Sequence, residues 1–235
     1  MPNWFQWKDE RSTLAKYGLY VVTHPSICVP AERIRDILVP GRSGSLTQFE
    51  GEGVYDDFIA SAECMVRSPA TIPAIAGWLK GSGDVVFGNQ PDYFFKGRVA
   101  NQIEFEKVMR GRQHRSCVVN FRCAPYRYHA NGNTQQTIST RPTAFINPGT
   151  APSEPLIRVN GSGDFGIWVG TEFISFSAVN GYIVLDTARK EAYRGTALQN
   201  NKMIGEFPLL QPGTNLISWD GPVTSLVITP RWRSL

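Results

Sequence analysis

Phe58-Ile59-Ala60-Ser61-Ala62-Glu63-Cys64-Met65-Val66-Arg67 carries small or apolar residues at Phe58, Ala60, Ala62, Cys64 and Val66. Alternation with a period of two predicts a β-strand with one buried face. Cys117, Val119, Phe121 and Cys123 repeat the pattern further on. The thiols there read as small core hydrophobes. Val99, Asn101, Ile103 and Phe105 alternate with Gln102, Glu104 and Glu106, which adds a third strand-like run.

Working outward, Ile167-Trp168-Val169, Phe173 to Val179, Tyr182 to Asp186, Leu216 to Trp219 and Ser225 to Thr229 read as short strands. Asn180-Gly181 and Asp220-Gly221 are hairpin-type turn signals between them. One helix interrupts the pattern. Thr71 is its expected N-cap, Pro73 lies in the first turn, and Gly81 ends it; Ile72, Ile75, Ala76 and Leu79 form its apolar face. The fold class expected is mainly β. A polar stretch from Ala130 to Gln136 without apolar period marks a boundary, giving domains 1–130 and 131–235.

Composition agrees with this reading. The 235 residues are 42% hydrophobic and 19% charged, with 22 Gly and 16 Pro, so the chain is globular and rich in turns. Apolar runs such as Ile183-Val184-Leu185 fall far short of the roughly 18 residues of a membrane span. Met1 to Arg11 shows no charged segment leading into an apolar one, so synthesis and folding in a cytoplasm are expected. The net charge is +4. Between Lys107 and Arg127 stand Lys107, Arg110, Arg112, Arg115, Arg122 and Arg127 with no acidic residue. That run admits a nucleic-acid reading. The modest total charge favours a solvated loop or one facing an acidic protein partner.

A search for chemistry ends without a catalytic site. Gly161-Ser162-Gly163-Asp164-Phe165-Gly166 fits a dinucleotide fingerprint, but a strand-like segment follows where a helix N-terminus is needed, so it reads as a hairpin turn. His24, His114 and His129 are scattered, and the four cysteines make no C-x-x-C pair, so no metal or cofactor site is expected. Glu104 and Glu106 could share a strand face as a glycosidase pair, although a solvated face explains them more simply. Asp56 and Asp57 are adjacent and point apart. Trp168, Tyr182 and Trp219 are candidates for stacking on glycans, against a core-packing reading of the same rings.

Several segments, in order, resemble the siphophage distal tail proteins, the hubs of long flexible phage tails. They are Val39-Pro40-Gly41-Arg42-Ser43-Gly44-Ser45-Leu46 followed by Tyr55, and then Val119 to Tyr128. Asn147-Pro148-Gly149-Thr150 and Pro155 to Gly163 follow, and Gly205 to Leu210, Pro212 to Asn215 and Pro230 to Arg233 close the series. The resemblance implies an N-terminal β-sandwich-like sheet with one packed helix and a C-terminal galectin-like β-sandwich of jelly-roll type.

It also implies a non-enzymatic hub at the virion tail tip, assembled in the bacterial host cytoplasm. Its first domain would form a homo-hexameric ring that joins the tail tube protein to tail-tip, fibre or receptor-binding proteins. DNA would pass only as cargo, and cell-surface glycan would be a further partner. Loops holding Gly41, Arg42, Arg110 and Arg112, within 41–42 and 107–115, are expected at the ring contacts. A free-standing carbohydrate-binding β-sandwich protein is the alternative.

Overall fold

The computed structural model describes residues 3–12, 14–51, 53–108 and 113–235. The chain divides into two compact units, Met1–Arg127 with Leu235, and Tyr128–Ser234.

In the first unit the alternation at 58–66 becomes the strand Phe58–Val66, with Ala60, Ala62, Cys64 and Val66 buried and Ser61 and Glu63 outward. It pairs antiparallel with Arg115–His129, Cys117 opposite Cys64 and Phe121 opposite Ala60, so the two apolar faces coincide. The sheet runs in the order Glu10–Arg11, Phe5–Trp7, Ser82–Phe87, Tyr93–Val99, Arg115–His129, Phe58–Val66, Leu19–Thr23. Phe5, Trp7, Leu19, Val119 and Phe121 are fully buried on it. Each such side chain contributes about 1.5–3 kcal/mol through burial.

The helix starts earlier than the sequence suggests. Ser68 is the cap, its Oγ accepting from the Ala70 N–H at 3.3 Å, and a 3-10 turn over Pro69–Thr71 leads into the α-helix Ile72–Trp78. Pro69 has no N–H to lose and a preset φ, so the first turn forms there. Thr71 instead donates its hydroxyl to the Ser68 carbonyl at 3.0 Å. Ile75 and Leu79 are buried and Ala76 is exposed. Trp78 completes the packing, stacked on Tyr17 at 4.4 Å and on Phe5 at 5.4 Å between ring centroids, with its Nε1 donating to the Trp7 carbonyl at 3.2 Å.

Residues 100–105 are not a strand. Asn101 stands in for the backbone ladder: its Nδ2 donates to the Val118 carbonyl and its Oδ1 accepts from the Asn120 N–H, both at 2.9 Å. Ile103 and Phe105 still pack inward against the core.

The second unit is a sandwich of two antiparallel sheets. One holds Gln136–Ile138, Val223–Thr229, Leu156–Gly161, Tyr182–Asp186, Glu191–Arg194 and Ala197–Leu198 in that order. The other holds Thr143–Asn147, Gly213–Asp220, Gly163–Val169, Glu172–Val179 and Met203–Ile204. Ile157, Ile183, Leu185 and Ile228 from the first meet Ile167, Ile174 and Ile217 from the second in one core. Buried Asn147 secures the edge: Nδ2 donates to the carbonyls of Leu210 at 2.9 Å and Ala151 at 3.2 Å, and Oδ1 accepts from the Gly149 N–H at 2.8 Å.

The glycine-marked turns are corrected by this topology. Gly161 to Gly163, Asn180-Gly181 and Asp220-Gly221 each carry the chain from one sheet to the other and do not close hairpins. A tight turn reverses the chain locally, and the side that each strand buries then selects its sheet.

Candidate functional site

One hairpin of the first unit exposes apolar side chains along the whole of both its strands. Ile34–Leu38 pairs antiparallel with Ser45–Phe49, Ile34 opposite Phe49 and Ile37 opposite Leu46, and forms a two-stranded sheet of its own. Its turn follows from sequence: Pro40 presets φ, Gly41 takes φ of 83°, and the Arg42 N–H returns to the Val39 carbonyl at 3.1 Å, a type II arrangement. Every residue of both strands is exposed, Leu38 at 82% and Phe49 at 61%. The pleat sends Ile34, Leu38 and Phe49 to one side and Ile37 and Leu46 to the other.

Among the described residues, the hairpin is hydrogen-bonded to the rest of the unit at its base. The Arg33 N–H donates to the Val54 carbonyl at 2.9 Å and Asp56 N–H to the Ala31 carbonyl at 2.9 Å, while the Arg33 Nε donates to Asp56 Oδ1 at 2.8 Å. Neighbouring Asp57 turns to Arg122, whose Nε donates to its Oδ2 at 2.9 Å. The two carboxylates thus engage different segments, the hairpin base and the strand Arg115–His129. Tyr55 meets Tyr126 edge-on at 6.1 Å.

Of the expected ring-contact residues, Gly41 and Arg42 sit at the exposed hairpin tip. Arg110 and Arg112 lie outside the described residues. Arg115, Arg122 and Arg127 of the basic run are locally engaged. Arg115 donates to the backbone carbonyl of His114 at 3.2 Å, and the Arg127 guanidinium lies 4.8 Å over the Tyr93 ring. The apolar residues of the hairpin carry no period-two signal in the sequence, since Ile34, Ile37 and Leu38, and Leu46 and Phe49, fall on both sides of the ribbon; only the Pro40-Gly41 turn marked it.

The aromatic candidates separate. Trp168 is 36% exposed on the outward face of the five-stranded sheet, 4.5 Å from Phe173 between centroids. Its surroundings there include Gly166, Ser175, Ser218 and the exposed Leu216. Tyr182 faces out from the six-stranded sheet, with the guanidiniums of Arg158 and Arg194 over its ring at 4.0 and 5.5 Å. Trp219 is buried in the sandwich core at 5% exposure and presents no face for stacking, because it shares the inward side of its strand with Ile217. Glu104 and Glu106 are exposed beside a cavity of about 430 Å³ that Glu63 also lines, and Glu104 is not on a strand. Among the described residues no cluster of His, Cys, Asp and Glu has the arrangement of a metal site.

No protein-family model and no curated relative matches the chain. Its structure is similar to the crystal structure of the SPP1 Dit protein, a hub of the adsorption apparatus in phages infecting Gram-positive bacteria. The TM-score is 0.75 at 13% identity, over 97% of this chain and 98% of that one. Chains of the phage P2 baseplate in its activated conformation, with calcium and with strontium, match at TM-scores of 0.49 and 0.48 and 8% identity, over 97% and 96% of this chain and 98% and 97% of theirs. The fold is therefore that of the phage distal tail hub, mainly β, and the resemblance read from the sequence holds at the level of fold.

Proposed function

We propose that this chain is a non-enzymatic structural hub of a long-tailed phage or prophage tail tip. Six copies form a ring that joins the tail tube to tail-tip or receptor-binding proteins, with DNA as passing cargo. The observation that carries the reading is the hairpin Ile34–Phe49. A two-stranded ribbon alone in water is marginal, and this one offers apolar side chains on both sides. A surface of that kind is completed by another chain. In a closed ring each copy presents one surface to the next and receives a different one, so a hairpin with exposed apolar sides suits cyclic assembly. The fold shared with the SPP1 Dit hub supports the same reading.

Native mass spectrometry of the purified full chain tests it. A species of six chain masses that appears as an annulus in negative stain is expected. A chain that stays monomeric at high concentration, unchanged by Ile37→Asp, would remove the hairpin from any assembly role.

A second reading rests on Trp168 and Phe173, an exposed aromatic pair on an outward sheet face with small polar neighbours. Such a face suits a neutral glycan. Binding of the full chain to a glycan array, lost in Trp168→Ala without loss of assembly, would support it.

A further inference from the structure

The outward face of the six-stranded sheet in the second unit carries a cavity of about 340 Å³. The pleat builds it. Arg158 lies opposite Val227 on one neighbouring strand and Val184 on the other, and Val184 lies opposite Tyr193. Opposed residues share a face, so these four form one row across four strands, while Ile157 and Val159 point the other way into the core. The volume is at the lower end of the roughly 300–1,000 Å³ of small-molecule sites.

Arg158 is held ready in this row. Its Nε donates to the Asn160 Oδ1 at 3.0 Å, and the Asn160 Nδ2 donates to the Ser225 Oγ at 3.0 Å. Its guanidinium lies 4.0 Å over the Tyr182 ring, and that of Arg194 lies 5.5 Å over the same ring. Tyr182 is thereby a bed for two cations. Stacking holds a guanidinium by its face and leaves the N–H groups of its terminal nitrogens free to bond in its plane. Among the described residues neither arginine forms an ion pair. Asp186 and Glu191 stand opposite each other in the next row of the face, and Asp186 is already held by Arg231.

An uncompensated arginine in a cavity, with a second beside it, suits an anion from outside. One guanidinium fork matches both oxygens of a carboxylate, whereas a phosphate ester has further oxygens to offer a second cation. The remaining lining suits a sugar. Val184, Val227 and the Tyr193 ring give apolar surface for its C–H face, and Asn160, Gln135 and Thr229 supply hydrogen-bonding groups for its hydroxyls.

We propose that this face binds a phosphorylated saccharide, its phosphate on the terminal nitrogens of Arg158 within the field of Arg194 and its sugar ring over Val184 and Tyr193. The site lies on the sheet opposite to that of Trp168, and it depends neither on a six-chain assembly nor on the Trp168 face.

Isothermal titration of the full chain at low ionic strength tests it. Glucose 1-phosphate and glucose 6-phosphate are the probes; inorganic phosphate, glucose and glucuronate are the controls. At least one sugar phosphate should bind at one site per chain, about tenfold or more tighter than inorganic phosphate or glucuronate, and glucose should not bind. Arg158→Met keeps an apolar stem against Tyr182 and removes the charge, and should weaken that binding about tenfold or more. Arg158→Lys keeps the charge without the fork and should restore only part of it. Trp168→Ala should leave it unchanged. Thermal melts confirm that each variant is folded. Failure of both sugar phosphates to bind, or binding that survives Arg158→Met, overturns the proposal. Equal affinity for inorganic phosphate, which marks a free-ion site only, or for glucuronate overturns it as well.

Discussion

Arg231 grips Asp186 with both terminal nitrogens, Nη1 donating to Oδ1 at 2.7 Å and Nη2 to Oδ2 at 3.3 Å. Asp186 ends a strand of the six-stranded sheet and is buried, whereas Arg231 belongs to the C-terminal segment and takes a left-handed φ of 54°. Burial alone would raise the Asp186 carboxyl; the Arg231 hydrogen bonds and charge, helped by Arg189, outweigh it and hold the group below its ordinary value. A carboxylate whose folded value is depressed contributes stability above its unfolded value, about 4, and loses it as pH falls through the lower folded one. Thermal melts of the wild type and Asp186→Asn should therefore differ at neutral pH and converge in strong acid. The neutral-pH gap should be about 1–3 kcal/mol, since the variant leaves Arg231 without its charged acceptor. Equal gaps at both pH values would refute the assignment.

Ile37 and Leu46 are opposed and already exposed on the hairpin. Replacing both with Asp should change the stability of the isolated chain by no more than about 0.5 kcal/mol. The same variant should abolish the six-chain species in native mass spectrometry. A ring that survives the double substitution would place the contact elsewhere.

Gly41 and Gly149 resist side chains for different reasons. Gly41 has open space around it and a φ of 83°, so Gly41→Ala should cost about 1 kcal/mol of backbone strain, confined to the hairpin. Hydrogen exchange at residues 34–49 should quicken while the global melt stays put. A Cβ on Gly149 would instead overlap the Arg233 carbonyl oxygen, a backbone atom that cannot step aside. Gly149→Ala should lower the melting temperature of the second unit.

Trp219 and Trp168 give a direct contrast within one sheet. Trp219→Ala removes a core indole and should cost about 3–5 kcal/mol by denaturant titration. Trp168→Ala trims a partly exposed ring packed on Phe173 and should cost less than half of that. Comparable costs would mean that Trp168 is a core residue in solution.

Local signals carried much of this fold. The period of two placed the buried faces of Phe58–Val66 and of the cysteine strand, because side chains on a strand must alternate whatever lies across from them. Pro40 and Gly41 wrote the turn of the hairpin in the same local way. The helix was visible but its start was misplaced, since Ser68 and Thr71 are both capping residues and Pro69 chose between them. Ile167-Trp168-Val169 and Leu216-Ile217-Ser218-Trp219 are nearly continuous apolar runs. In such runs alternation cannot say which ring points inward, and so Trp168 and Trp219 looked alike.

Strand content, turn positions and the inward side of each cleanly alternating strand were legible in the residue order, because each depends on neighbours a few positions away. Contacts between distant segments settled the rest. Gly161, Gly181 and Gly221 could equally have closed hairpins; they switch sheets because the strands they join bury their apolar sides from opposite layers of the sandwich. The distance between Cys64 and Cys117, 53 positions apart in the chain, and the lack of cover over Ile37 and Leu46 are likewise products of long-range pairing. Such pairing is set by the total apolar surface a compact chain can bury, a quantity that no local window contains.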